Sequence, residues 1–167
     1  AGFDQIILRE GAPVLPVSAG GQGLILSETE AEIQIAGEGF RLTVSRRTGL
    51  PASLTVSGRE LLVRPMEYDI YRAPTDNDRN VRHQWEKCGF DRAVPRAYDV
   101  AARLTRDGVV VESDFSLIPV YQHWVVRGHT TLEVDRLGRL RLRADMRKNP
   151  EAPFLPRFGL RIFLPEA

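Results

Sequence analysis

The sequence predicts an all-β fold made of short antiparallel strands. In many segments apolar and polar residues alternate with a period of two, which indicates strands with one buried face. Turn-forming residues, chiefly Gly, Pro and Asp, recur about every ten residues, a spacing typical of a β-sandwich. No sustained helical period runs through the chain, so the strands dominate the prediction.

The N-terminal residues predict a strand followed by a linker. Residues 1–8 contain a run of apolar side chains and predict a strand. Residues 14–23 contain Pro16, Gly20 and Gly21, a composition typical of linkers. We therefore expect residues 1–13 to be a tail strand apart from the main domain. The chain begins with Ala1 rather than Met, which favours a fragment of a longer polypeptide.

From Leu24 onward, alternation and turn signals predict a meander of strands around one short helix. Asp107-Gly108 is a strong hairpin turn between two of them. The predicted strands before the helix are Glu32–Ala36, Phe40–Ser45, Ala52–Val56, Leu61–Val63 and Met66–Tyr71. Those after it are Ala97–Leu104, Val109–Phe115, Tyr121–Arg127, Thr130–Asp135, Arg139–Met146 and Phe158–Leu164. In Arg139–Met146 arginine alternates with apolar residues, which predicts a face in solvent or against an acidic partner.

The largest concentration of charged and turn-forming residues in the sequence follows the predicted strand Met66–Tyr71. Arg72 comes next, Pro74 interrupts any ladder, and Asp76, Asn77 and Asp78 follow. Short polar side chains of this kind favour turns and helix N-caps. The conservative interpretation is a cap and a turn, with Arg72 paired to one of the carboxylates. The functional interpretation is a loop presented to a ligand or a partner domain.

Asp76 and Asp78 are poor candidates for a catalytic acid–base pair. Both stand in a capping context, between Arg72 and Arg79. A neighbouring guanidinium favours the ionised carboxylate, which does not suit a general acid.

The loop leads into a predicted short helix, Val81–Cys88, that ends at Gly89. Trp85 is expected to be a core side chain rather than a platform for a sugar. Cys88 is the chain's one cysteine, so an internal disulfide and a cysteine-based zinc site are excluded. A lone cysteine at a helix end is expected to be a small packed side chain.

Composition narrows the classes of partner. The chain has 167 residues, enough for one domain with a real core, and a formal net charge of +1. Neither the charge nor its distribution favours a nucleic-acid or membrane surface. No apolar run approaches the roughly 20 residues that span a bilayer. The sequence has no signal-peptide pattern, and we expect a cytoplasmic location.

The three histidines do not form a metal-ligand pattern. His83, His123 and His129 are isolated from one another in the sequence, and we expect no metal site. His123 is the nearest candidate for the base of a sugar epimerase. With Trp124 in the core, strand alternation would place His123 in solvent.

Five stretches carry a resemblance to a known family. Tyr71–Asp78, with its Arg-Ala-Pro-Thr-Asp-Asn-Asp run, resembles a signature in the C-terminal, small-chain domain of large lacZ-type bacterial β-galactosidases. Phe40–Ser45 and Thr48–Leu50 resemble the strand and turn upstream of that signature. Trp85–Gly89 resembles its downstream helix end, and Leu155–Leu160 a later strand. The matches occur in the family's order and cover residues 25–165.

The resemblance implies an antiparallel β-supersandwich of the galactose-mutarotase-like type, of which residues 24–167 would be the first part. It also implies that residues 1–13 close a preceding immunoglobulin-like domain. The whole enzyme would hydrolyse terminal β-D-galactosides as a homo-oligomer. Its catalytic glutamates lie in another domain, where Mg²⁺ and Na⁺ would also bind. The remaining domains and the galactoside are the partners implied.

The resemblance gives this chain a role without catalytic residues. Arg72, Asp76, Asn77 and Asp78 would fix the loop that docks on the catalytic barrel and borders the sugar pocket. Two alternatives stay open at this point. One is a separate aldose epimerase of the mutarotase type, and the other is an independent carbohydrate-binding module.

Overall fold

A computed structural model of the chain describes residues 23–120 and 122–166. This part contains eleven strands and one short α-helix, so the predicted all-β class is confirmed. The predicted tail strand and all but the last residue of the predicted linker lie outside the described residues. The strands in chain order are β1 (Ile25–Glu28), β2 (Glu32–Gly37), β3 (Phe40–Ser45), β4 (Pro51–Val56), β5 (Arg59–Glu60), β6 (Arg64–Asp69), β7 (Val94–Leu104), β8 (Gly108–Ile118), β9 (Val126–Asp135), β10 (Leu140–Lys148) and β11 (Gly159–Phe163).

Three antiparallel sheets are formed by these strands. One is a meander of five strands in the order β1-β2-β3-β4-β5. A second has the order β10-β9-β8-β7, and a third pairs β11 with β6. Short turns join several neighbouring strands, which is possible because these strands are antiparallel. Gly39 and Gly58 occupy two of these turns with φ of 74° and 78°, which side chains other than glycine rarely adopt.

The two larger sheets pack face to face. Alternate apolar side chains of β2 and β3 pack against those of β8 and β9. Within each sheet the buried residues of one strand lie directly opposite those of its neighbour, in β2–β3 and in β8–β9. The fully or almost fully buried residues of this layer are Ile33, Ile35, Leu42, Val44, Val109, Val111, Leu132 and Val134. Arg46 joins the sheets at their rim by donating to the carbonyl oxygen of Val100 at 2.6 Å.

A second apolar cluster lies under β6 and the helix. The helix α1 (Arg82–Lys87) buries Trp85 completely, and Tyr68 of β6 stacks on Phe115 of β8 with ring centroids 4.4 Å apart. Gly89 follows α1 in the left-handed conformation, with φ of 68°. The predicted helix and its glycine stop are therefore confirmed. The other buried members of this second apolar cluster are Leu50, Leu62, Met66, Ile70, Phe90, Leu117, Val125 and Val126.

Two predicted strands were wrong. Leu61–Val63 does not continue a ladder, because the Glu60 carboxylate accepts the backbone N–H groups of Leu54 and Leu62 in place of a carbonyl. The strand pairing therefore ends at Glu60. The second error is the segment Tyr121–Arg127, of which Tyr121 lies outside the described residues. Here a turn closes after Pro119, and β9 begins only at Val126.

Candidate functional site

The signature loop, which we define as residues 72–79, leaves the buried end of β6 and turns before α1. Asp76–Asp78 form one 3₁₀ turn. Asp78 Oδ2 accepts the backbone N–H of Thr75 at 2.7 Å and the Thr75 hydroxyl at 2.8 Å. The Thr75 carbonyl accepts the N–H of Asp78 at 2.9 Å in return. The carboxylate thus closes a capping box in which Thr75 is the N-cap residue and Asp78 the third residue of the turn. The predicted Asp or Asn cap on α1 was wrong, because Val81 occupies its N-cap position without a side-chain hydrogen bond.

Arg72 closes the loop from the other side. Its Nη1 and Nη2 donate to Asp78 Oδ2 and Oδ1 at 2.5 and 3.0 Å, a forked geometry that fits guanidinium to carboxylate. Hydrogen bonding to Arg72 holds the pKa of Asp78 well below its usual range, and the Thr75 N–H lowers that pKa further. Asp78 is therefore ionised at neutral pH and has no proton to donate as a general acid.

The structure joins two of the four predicted site residues. Arg72 and Asp78 form the forked pair, while Asp76 and Asn77 are exposed on the outer side of the 3₁₀ turn. Asp78 is buried and Asp76 is exposed, so the two carboxylates stand in different environments.

The loop rests on the core through Trp85. The Arg72 guanidinium carbon lies 5.6 Å from the centroid of the Trp85 ring. The indole N–H donates to the Phe154 carbonyl at 3.0 Å, and the Phe154 ring packs edge-on at 5.5 Å. Trp85 is a core side chain, as predicted, and it links the signature loop to the segment before β11.

Asp69, at the end of β6, ties the loop to β11. Its Oδ1 accepts the N–H of Tyr71 at 3.1 Å, and its Oδ2 accepts the Nε–H of Arg161 at 2.8 Å. The Arg161 Nη2 atom forms an ion pair with the same oxygen, also at 2.8 Å. Arg157 forms an ion pair with the same oxygen. The stretch Leu155–Leu160, which also carried the resemblance, therefore lies beside the signature. Sequence reasoning missed this contact, for which the one available signal was an acidic residue between the apolar side chains of the predicted strand Met66–Tyr71.

The outer face of the sheet β10-β9-β8-β7 carries a groove that sequence reasoning also missed. Its volume is about 650 Å³ and it is open to solvent. We call it the outer groove, and its polar lining includes Tyr98, Asp114, Ser116, Arg127, Asp145 and Arg147. On the same face Arg141 and Arg143 are exposed, so the alternating arginines of β10 do share one face away from the core, as predicted; solvent and an acidic partner both stay open as what that face meets.

The histidines take up separate surface positions. His123 is exposed in the irregular segment before β9 and is not on a strand, contrary to the prediction. His129 Nδ1 lies 2.8 Å from Asp114 Oδ1 beside the outer groove, and His83 lies 3.6 Å from Glu86. Within residues 23–120 and 122–166, no three His, Cys, Asp or Glu side chains group as a metal site. The helix α1 is too short to cross a membrane, and no longer helix occurs in the described ranges.

Comparison with known proteins identifies the domain type. The family model described as "Beta galactosidase small chain" matches residues 36–167. The β-galactosidase of Actinobacillus pleuropneumoniae is 26% identical over 168 residues, which cover 99% of this chain and 17% of that protein. The enzyme of Lactobacillus delbrueckii subsp. bulgaricus is 33% identical over 145 residues, covering 84% of this chain and 14% of the relative.

The same relationship extends to Staphylococcus xylosus, whose β-galactosidase is 33% identical over 99 residues, or 59% of this chain and 10% of the relative. The chain thus spans less than a fifth of the length of these relatives. The family match includes the signature loop, α1 and the partners of Asp69. The chain belongs to the β-galactosidase small-chain family.

Proposed function

We propose that this chain is a non-catalytic domain of a β-galactosidase, whose whole polypeptide hydrolyses terminal non-reducing β-D-galactose residues. The family match supports the proposal, and so does the small share of each relative that the chain covers. The pairing of Asp78 with Arg72 also supports it, because this carboxylate is committed to holding a loop. In this proposal the catalytic carboxylates are supplied by the remaining domains.

Within the whole protein, the signature loop would dock on the catalytic domain and border the sugar pocket. Asp78 and Arg72 hold the loop from inside, and Trp85 supports it from below. Asp76 and Asn77 are then the side chains available to the partner domain. A loop fixed in this way loses little conformational entropy on docking, which favours a precise position beside a substrate.

The wider organisation is part of the same proposal. Residues 1–13 would belong to a preceding immunoglobulin-like domain, 14–23 to a linker, and 24–167 to the first part of a galactose-mutarotase-like supersandwich. The whole enzyme would be a cytoplasmic homo-oligomer that binds Mg²⁺ and Na⁺ in its other domains.

The first test is hydrolysis of a chromogenic β-galactoside by the 167-residue chain and by the full-length protein that carries it. We expect turnover by the full-length protein and none by the chain alone. Turnover by the chain alone would mean that its own carboxylates are catalytic, which would overturn the assignment of Asp76 and Asp78.

The second test concerns the loop, in the full-length protein. Asp76→Ala and Asn77→Ala are expected to lower kcat/KM severalfold without changing the melting temperature, because both side chains face away from the domain core. Asp107→Ala, at the exposed β7–β8 turn, is the matched control. If the loop variants have the same kcat/KM as the control, docking of the loop beside the substrate is refuted. Asp78→Ala should lower both stability and activity, because it releases the loop.

A further inference from the structure

The outer groove crosses four strands, and cross-strand register arranges the side chains in it and beside it in two rows; Arg96 and His129 lie beside the groove and do not line it. The first, which we call the arginine row, runs Arg96, Ser116, Arg127, Arg147 across β7, β8, β9 and β10. The second, the acidic row, runs Tyr98, Asp114, His129, Asp145 across the same strands. Successive residues on one face of a strand are two positions apart, so the rows lie about 7 Å from each other.

The arginine row carries positive charge that the described residues do not neutralise by contact. Arg96, Arg127 and Arg147 have no carboxylate oxygen within 4.0 Å in the described ranges. Elsewhere on this face the arginines are paired with acidic neighbours, in the pairs Arg103–Glu112, Arg141–Glu133 and Arg143–Asp145. Arg127 and Arg147 also stand directly opposite each other on adjacent strands, an arrangement that like charges disfavour. A bound anion would relieve this repulsion.

Aromatic rings hold the guanidinium groups in place. Arg127 lies over the ring of Trp124, 4.7 Å from its centroid, and Arg147 lies 5.8 Å from the same centroid. Arg96 lies 5.4 Å from the centroid of Tyr98. These contacts order the arginines before a ligand arrives, which lowers the entropy cost of binding.

The acidic row offers acceptors at a fixed distance from the arginines. The side chains of Asp114 and Asp145 are each 63% exposed, so their carboxylate oxygens remain accessible to hydroxyl donors. The Ser116 hydroxyl, between the arginines, donates to Tyr98 Oη at 3.3 Å. The groove lining thus combines two guanidinium groups with three carboxylates, those of Asp99, Asp114 and Asp145, in a volume of about 650 Å³, within the range of small-molecule sites.

We propose that the outer groove binds an anionic saccharide, a sugar that carries a phosphate, sulfate or carboxylate group. Arg127 and Arg147 contact the anionic group through forked hydrogen bonds. The sugar hydroxyls donate to the carboxylates of Asp114 and Asp145. An anion without hydroxyls leaves the acidic row unused, and a neutral sugar leaves the arginine row unused. This inference does not rest on the proposed function, because it concerns binding at another face of the domain.

The test is calorimetric titration of the full-length protein with galactose 6-phosphate, a hexose with one anionic group. The variant Arg127→Gln/Arg147→Gln is expected to lose at least tenfold in affinity. The matched control is Arg141→Gln, on the same face but paired with Glu133, and its affinity should stay within twofold of the unmodified protein. Arg127→Lys keeps the charge without the planar fork, so an intermediate loss is expected. Equal affinities in the double variant and the control would overturn the proposal.

Three comparisons define the ligand class. Galacturonate, with a carboxylate in place of the phosphate, should also bind more weakly to the double variant than to the unmodified protein. Galactose should bind equally to the double variant and to the unmodified protein. Inorganic phosphate should bind to the unmodified protein more weakly than galactose 6-phosphate does. Asp145→Asn should weaken the sugar phosphate without affecting inorganic phosphate. Phosphate binding as tight as that of the sugar phosphate would refute a saccharide site. Melting temperatures of all variants show whether the fold is retained.

Discussion

Replacing Trp85 with phenylalanine tests whether the indole holds the signature loop and the segment before β11 together. Trp85 is completely buried, and its N–H donates to the Phe154 carbonyl at 3.0 Å. Loss of this hydrogen bond costs about 1 kcal/mol. Phenylalanine is about 40 Å³ smaller, and at about 24 cal/mol per Å³ the cavity costs about 1 kcal/mol more. We therefore expect Trp85→Phe to lower the free energy of unfolding by about 2 kcal/mol.

The assay is urea unfolding of the 167-residue chain. The chain has two tryptophans, so Trp124 reports on the Trp85→Phe variant and Trp85 on the control. The control is Trp124→Phe, because Trp124 is only half-buried and should cost less than about 1 kcal/mol. For a domain of this size, the expected loss also lowers the melting temperature by about 4–8 °C. A loss below about 0.5 kcal/mol for Trp85→Phe would refute the calculation, since neither the bond nor the cavity would then matter.

Two further changes test the loop and its surroundings. Gly89→Ala should destabilise the chain more than Gly58→Ala in urea unfolding: both glycines have positive φ, but an added Cβ at Gly89 would lie 2.7 Å from Pro119, whereas Gly58 faces open space. Equal losses would show that the contact is relieved at no cost. The second change concerns pH. The pKa of Asp78 is lowered in the folded chain, so its stabilising effect is present above the unfolded pKa of about 3.9 and is lost as pH falls below that value. Asp78→Asn should therefore flatten the fall in melting temperature below about pH 4, and an unchanged profile would exclude this origin.

The strands that the sequence predicts well are those with one buried face. Phe40–Ser45 was predicted with the bounds that the structure gives, because alternation and flanking turns both mark it. The errors arose where other bonds replaced the ladder. At Glu60 a side-chain carboxylate accepts the backbone donors, and at Pro119 a turn delays β9. The apolar content of a segment does not reveal that a side-chain acceptor or a turn interrupts the strand.

In the candidate site, too, the sequence predicts contacts between residues that are close in the chain and misses contacts between distant ones. The pairing of Arg72 with a nearby carboxylate was foreseen, because the partners lie six residues apart and share one loop. The contact between Asp69 and Arg161 spans 92 residues and depends on the register of β6 with β11. The arginine row depends on the register of four strands at once. Such registers are fixed by packing across the whole sheet, so a single sequence does not disclose them.

The outer strands of the β10-β9-β8-β7 sheet also bear on how the domain behaves in solution. Among the described strands, β7 and β10 each pair on one side only, and they are eleven and nine residues long. Long open edges recruit other chains and lead to aggregation. In β10 the charged side chains, four arginine or lysine residues and one aspartate, oppose such recruitment, while Pro95 and a bulge after Tyr98 interrupt β7. We therefore expect the domain to become less soluble at high ionic strength, where repulsion between these edges is screened.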